Sequence, residues 1–141
     1  MAQSYGAYSY GKSSGSSTVN SILLSNEITI PSVGVGSIAI NVSNASVQKY
    51  TVTGNTNISF SGWALANTYN GIILELRNGG LFTLNLPTIN WVLPNQIVPV
   101  TTLNAYLTAL GRVPASLNSN GTDFIYFWST DGGITIFAKL I

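Results

Sequence analysis

The side chains able to do acid–base or nucleophilic chemistry are few in this sequence and lie far apart. The chain has four carboxylates, Glu27, Glu75, Asp123 and Asp131, and it has neither histidine nor cysteine. Glycoside hydrolysis needs two carboxylates that face each other across a cleft, and the spacing of these four indicates no such pair. Without imidazole or thiolate groups, the usual zinc ligands and activated nucleophiles are also missing. The sequence therefore predicts no catalytic residues, no cofactor and no metal site, and we expect a protein that is not an enzyme.

The composition points to a chain with very few charges. Charged residues make up 6% of the 141 residues, against roughly 25% in ordinary soluble domains. The net charge is +1 and the charges are scattered singly, so there is no basic stripe for phosphates and we expect no nucleic-acid partner. The N-terminus lacks the charged and apolar regions of a signal peptide, and there is no run of 18 apolar residues. We expect neither membrane insertion nor export by an ordinary signal peptide.

Residues 1–18 differ from the rest of the chain. Tyr5, Tyr8 and Tyr10 alternate with small residues, and a run of serine and glycine follows that has the composition of a flexible connector. Each tyrosine offers a large apolar ring with a polar tip. The residues alone leave two interpretations open, a disordered end and an arm that orders against a partner. Residues 19–141 are predicted to form a single β domain.

Most of that domain has the pattern of short strands separated by polar turns. Residues 27–30, 37–42 and 47–52 alternate with a period of two. Asn78-Gly79-Gly80 separates two apolar runs, 72–76 and 81–86, and is predicted to be a hairpin turn. Asp131-Gly132-Gly133 predicts a second hairpin with arms at 123–129 and 133–140. We therefore expect an all-β fold, an antiparallel, jelly-roll-like β-sandwich.

One short helix is expected between these hairpins. Leu103, Tyr106, Leu107 and Leu110 recur at helical spacing. Thr101 or Thr102 is a candidate N-cap, and Gly111 stands where a helix commonly ends. The helix is predicted to span about 102–110.

The strand before the last turn is apolar on both faces. Phe124, Tyr126 and Trp128 point to one side, whereas Ile125 and Phe127 point to the other. A strand of this kind is typical of the centre of a sheet that is covered on both sides. The cover comes either from the rest of the chain or from further copies. We take Phe124, Tyr126 and Trp128 as candidate subunit-interface residues.

Four motifs in order resemble a known group of domains. They are Gly54-Asn55-Thr56-Asn57-Ile58-Ser59-Phe60-Ser61, Ile73-Leu74-Glu75-Leu76-Arg77-Asn78-Gly79-Gly80, a proline and tryptophan segment at 87–94, and the stretch from Asp123 to Gly133. Together they resemble the small all-β domains of bacteriophage tail fibres and related virion appendages, over about residues 50–137. The resemblance implies a structural or adhesive virion protein, commonly trimeric, without catalytic residues.

On this resemblance we expect a virion protein assembled in the host cytoplasm, a tail fibre or tail-tip appendage. Residues 1–18 would attach to other virion proteins through Tyr5, Tyr8 and Tyr10. The β domain would form a homotrimer and contact the host surface, with a glycan as a candidate receptor. Candidate receptor contacts are Trp63, Asn67 and Tyr69, together with the 115–121 loop. The alternative is a capsid decoration protein that stabilises the phage head.

Overall fold

The computed structural model describes residues 27–33, 36–94, 96 and 100–141, and for 27–33 only the backbone. The predicted attachment arm, residues 1–18, lies outside the described residues. The described part contains nine strands and one α-helix. They are β1 (Glu27–Val33), β2 (Gly36–Asn41), β3 (Val47–Val52), β4 (Thr56–Ser61), β5 (Ala66–Arg77), β6 (Leu84–Asn85), β7 (Asn90–Trp91), α1 (Leu103–Ala109), β8 (Thr122–Asp131) and β9 (Phe137–Leu140).

The strands form two sheets. The six-stranded sheet has the order β1-β3-β5-β8-β9-β7, and the three-stranded sheet has the order β2-β4-β6. The all-β class with one short helix is confirmed, but the expected antiparallel, jelly-roll-like pairing is wrong for most of the fold. Among the named strands, all pairs are parallel except those of β8 with β5 and β9. A period of two shows which face of a strand is buried, but it carries no information about the direction of the neighbouring strand.

From β1 to β6 the chain winds alternately through the two sheets. Successive strands lie in different sheets, so each strand pairs with the one two further along the chain. Glu27 pairs with Val47 in the larger sheet and Gly36 with Thr56 in the smaller one, which is the same offset of 20 residues. The winding places like residues side by side, for example Ile38 next to Ile58. The side chains of Asn85 and Asn57 also meet across this sheet, with 2.7 Å between Nδ2 and Oδ1.

The hairpin predicted at 72–86 does not form. β5 belongs to the larger sheet and β6 to the smaller one, so these runs are not paired with each other. Asn78 takes the left-handed conformation (φ 62°), and a short 3-10 helix at Gly79–Leu81 carries the chain across to the other sheet. Gly80 is needed for close packing, because a Cβ there would overlap the carbonyl of Leu117. The glycine pair therefore marks a crossover rather than a two-residue turn.

The helix is confirmed and the terminal hairpin forms, but its second arm begins at Phe137 rather than at 133, because residues 132–136 form a longer loop than the predicted tight turn. β8 and β9 pair in antiparallel register, with Trp128 opposite Phe137, and Gly132 and Gly133 take positive φ in the turn. α1 begins after Thr102, whose Oγ1 accepts from the backbone N–H of Ala105 at 3.2 Å. It ends in a Schellman pattern, in which the N–H groups of Gly111 and Arg112 donate to the carbonyls of Thr108 and Leu107.

The core is one hydrophobic cluster to which both sheets and α1 contribute. Phe127 of β8 lies in it without solvent exposure. Its ring centroid is 4.8 Å from that of Phe60 in the smaller sheet and 6.1 Å from that of Trp91. Trp91 in turn stacks on Tyr106 of α1 at 5.0 Å. The inner face of β8 is thus covered by the smaller sheet and by the helix.

Replacing Gly80 with alanine should destabilise the fold. Because the added Cβ meets a backbone carbonyl rather than a movable side chain, we expect the free energy of unfolding to fall by about 1–3 kcal/mol. Gly121→Ala is the matched control, since its Cβ would make only ordinary contacts with Asn118 and should change stability by less than about 1 kcal/mol. Chemical denaturation of both variants measures the difference, and equal stabilities would contradict the packing role of Gly80.

Candidate functional site

The outer face of the six-stranded sheet carries a row of aromatic rings. Tyr126 and Trp128 of β8 stack with centroids 5.2 Å apart, and Trp128 stacks on Phe137 of β9 at 5.6 Å. The hydroxyl of Tyr126 lies over Gly71 of β5, where a Cβ would crowd it. Phe124 lies on the same face and is 42% exposed. We call Phe124, Tyr126, Trp128 and Phe137 the outer aromatic row.

None of these four rings belongs to the described core or packs against it. The structure therefore places Phe124, Tyr126 and Trp128, the candidate interface residues, together on a partly exposed face. Sequence reasoning missed Phe137, because the predicted tight turn does not place it opposite Trp128; the longer 132–136 loop sets that register. The polar surroundings include Lys49 and Glu75, whose Nζ and Oε1 atoms are 3.9 Å apart. The surface thus combines aromatic rings with a few charges.

The candidate receptor residues lie at one end of the larger sheet, the end at which β1, β3 and β5 begin. We call it the entry end; its loops are 42–46, 62–65 and 132–136. Asn67 (φ 67°) and Tyr69 are exposed and follow the 62–65 loop. Trp63 is different, because its ring packs against Gly133 and the core, and its indole N–H is buried without an acceptor. Trp63 therefore supports the loop, while Asn67 and Tyr69 are accessible.

The turn at the entry end is organised by two side chains. Asp131 Oδ1 accepts from the backbone N–H of Thr135 and from the hydroxyl of Ser129, both at 2.8 Å. The Ser129 hydroxyl oxygen also accepts from the N–H of Gly133 at 3.0 Å. The bond from the Thr135 backbone is the main reason why the pKa of Asp131 lies below its ordinary value of 3.8. Asp131 is a turn residue and its oxygens already have donors.

The opposite end, which we call the far end, carries the loops 53–55, 78–83 and 112–121. Asp123 is 2% exposed there. Its Oδ1 accepts from Arg112 at 2.9 Å and from the Asn118 side chain at 2.8 Å, and its Oδ2 accepts from the backbone N–H of Asn118 at 2.6 Å. Arg112 also donates to the carbonyl of Ser116 at 2.9 Å. This network holds the loop against β8, so Asp123 is a structural residue.

Two cavities open at the far end, each of about 410 Å³. One lies between α1 and the 79–84 segment and has Leu103, Leu107 and Leu117 in its wall. The other follows the 112–119 loop. The 115–121 loop, also a candidate for receptor contact, therefore lies at the opposite end of the sheet from Asn67 and Tyr69. The structure does not bring these candidates together.

The described residues show neither a metal-binding cluster nor a membrane-spanning helix. No group of three or more histidine, cysteine, aspartate or glutamate side chains there could share a metal ion. Nor does this part of the chain contain a helix long and apolar enough to cross a membrane.

Sequence reasoning also missed Leu65 and Ile134, which are exposed apolar residues at the entry end. Their place in loops beside Gly62 and Gly133 was the available signal.

Asp123→Asn should weaken the far end. The change removes the charge that Arg112 faces and leaves one bond donor without an acceptor, so we expect a loss of about 2–3 kcal/mol in the free energy of unfolding. Glu75→Gln is the control, because the longer and more exposed pair with Lys49 should contribute less than about 1 kcal/mol. Equal effects of the two changes in denaturant titrations would be inconsistent with this role for Asp123.

The Asp131 turn should respond to acid. Since the folded-state pKa lies below 3.8, the stabilisation by the carboxylate is complete at neutral pH and is lost as the pH falls through that lower value. The amide proton of Thr135, followed by NMR, should therefore titrate with a midpoint below 3.8. Asp131→Asn should abolish this titration. A midpoint above 3.8 in the wild-type chain would show that the hydrogen bonds do not favour the charged form.

Comparison with known proteins finds no matching family model, no similar curated protein and no similar solved structure. The role of the chain must therefore be inferred from its own surfaces. These are the outer aromatic row, the exposed loops of the entry end and the cavities of the far end.

Proposed function

We propose that the protein is a structural protein of a bacteriophage virion, a tail fibre or tail-tip appendage that contacts the host surface. The observation that carries the proposal is the outer aromatic row on the central strand β8. The sequence resemblance to tail-fibre domains adds the virion context. Residues 1–18 anchor the chain to other virion proteins, and the β domain is a two-layer sandwich displayed from the particle.

The outer aromatic row favours assembly with further copies of the chain. Apolar patches of more than a few hundred Å² on a soluble protein usually mark an interaction surface. Tyrosine, tryptophan and phenylalanine are the residue types enriched in the buried centres of interfaces. With only 6% charged residues, the chain has few groups with which to solvate this face. We propose a homotrimer in which copies cover one another's six-stranded sheets.

Contact with the host would use uncharged polar groups. The exposed loops at both ends are rich in asparagine, serine and threonine, for example Asn67, Thr68, Asn118 and Ser119. Amides and hydroxyls donate to and accept from sugar hydroxyl groups, and tyrosine rings supply apolar contact. A surface glycan is therefore the receptor class that we propose.

Phe124→Arg should disrupt the oligomer. Phe124 is 42% exposed in the single chain, so arginine is tolerated in the monomer, but it would place a charge inside the interface. Light scattering at micromolar concentration should give a trimer mass for the wild-type chain and a monomer mass for the variant. Val113→Arg, at an exposed far-end position, is the control and should remain trimeric. A wild-type chain that is monodisperse as a monomer would refute the assembly.

The functional proposal is tested by competition and by copy number. Purified protein should bind host cells and block adsorption of the phage, and quantitative mass spectrometry should find a few tens of copies per particle. Hundreds of copies would indicate capsid decoration instead. Absence from purified particles would contradict a virion role of either kind.

A further inference from the structure

The entry end carries an exposed apolar projection. Leu65 is 84% exposed, Ile134 is 88% exposed, and Tyr69 is 60% exposed. Leu65 and Ile134 belong to adjacent loops, because Ala66 pairs with Asp131 and a Cβ placed on Gly132 would be in van der Waals contact with the backbones of Ala64 and Ala66. We call Leu65, Tyr69 and Ile134 the apolar knob.

The knob projects beyond the rest of the larger sheet. β3 pairs with β5 only from Ile73 onward, and β9 pairs with β8 only as far as Trp128. The first residues of β5 and the last residues of β8 therefore continue without a neighbouring strand on either side, with an irregular register between Ala66 and Asn70 and a final pair of Ala66 with Asp131. The knob lies at the tip of this pair of strands.

The backbone that carries the knob is anchored, and the two segments that carry it contain few charges. The backbone N–H of Thr68 donates to the carbonyl of Leu65 at 3.1 Å, and Trp63 packs against Gly133. In the loops 62–68 and 131–136 Asp131 is the one charged residue, and its Oδ1 accepts two hydrogen bonds inside the turn. A preformed apolar surface of this kind loses little conformational entropy when it enters an apolar pocket.

The start of β1 lies at the same end of the larger sheet as the knob. Glu27 begins β1 and pairs with Val47, the first residue of β3, so the chain enters the sheet at the entry end. Residues 1–26 precede this point, outside the described residues. The described chain therefore begins at the same end of the domain as the knob, while both far-end cavities lie at the other.

We propose that the apolar knob docks into an uncharged, apolar pocket on the virion component to which residues 1–18 attach. This inference rests on the proposed function. Of the two ends proposed above for host contact, it assigns the entry end, with Asn67, Thr68 and Tyr69, to attachment, and it leaves the far end, with its cavities and amide-bearing loop, to face the host. Residues 1–18 connect the domain to the particle, and the knob fixes the orientation of the domain on it.

The test compares two double variants in assembled particles. Leu65→Ser with Ile134→Ser removes the two aliphatic side chains of the knob and leaves Tyr69, and Leu81→Ser with Val113→Ser removes two exposed apolar side chains at the far end. All four positions are exposed, so both variants should fold, which circular dichroism and thermal unfolding verify. Quantitative mass spectrometry then gives the copies per particle, and adsorption to host cells gives receptor binding.

We expect the knob variant to bind particles about a hundredfold more weakly, the loss expected when two aliphatic side chains no longer enter an apolar site. The far-end control should load normally. A photoreactive amino acid at position 134 should crosslink to a different virion protein, and one at position 113 should not. Normal loading of the knob variant, or crosslinks from position 134 only to a second copy or to a host molecule, would overturn the inference. Absence of the wild-type chain from particles would instead overturn the proposed function on which it rests.

Discussion

The burial of Phe127 is the constraint on which the rest of the structure depends. Its ring joins Phe60 of the smaller sheet to Trp91, and Trp91 stacks on Tyr106 of α1. The smaller sheet has three strands and cannot span the inner face of a six-stranded sheet. The helix and its flanking loops supply the remaining cover, and the Tyr106 hydroxyl accepts from the N–H of Leu140 at 2.9 Å. The caps of α1 and the hydrogen bond between Arg112 and Asp123 hold the helix and its flanking loops in place.

The same arrangement explains why the surfaces proposed for binding lie where they do. Among the described residues, the smaller sheet and α1 both cover the inner side of β8. The alternate residues of β8 therefore form a row of rings on its outer side. The parallel winding places successive crossovers at opposite ends of the strands. It thereby separates the entry end, with its exposed apolar loops, from the far end, with its cavities and hydrogen-bonded loop. One chain thus has an outer face that is proposed for assembly and two chemically different ends.

The sequence was sufficient for features governed by neighbouring residues. Thr102 and Gly111 bounded the helix, Asp131-Gly132-Gly133 marked the hairpin, and alternation in β8 separated Ile125 and Phe127 from the outer row. It was insufficient where distant segments decide the structure. Asn78-Gly79-Gly80 has the local pattern of a turn, yet the packing of Gly80 against Leu117 and the pairing of β6 with β4 make it a crossover. One feature of the sequence indicated the parallel winding. An apolar position recurs after 20 residues, at Ile38 and Ile58, and the alternation within a single strand does not reveal this repeat.

The proposed homotrimer requires that another copy of the chain covers the outer aromatic row. Hydroxyl-radical footprinting of the native protein tests it directly, because oxidation of a side chain reports its contact with solvent. Trp91, which is 1% exposed, serves as the buried reference within the same molecule. We expect Phe124 and Trp128 to be protected from oxidation to nearly the same degree as Trp91 in the native assembly. Both should become reactive when the assembly is dissociated. Rapid oxidation of Phe124 and Trp128 in the native state would contradict it.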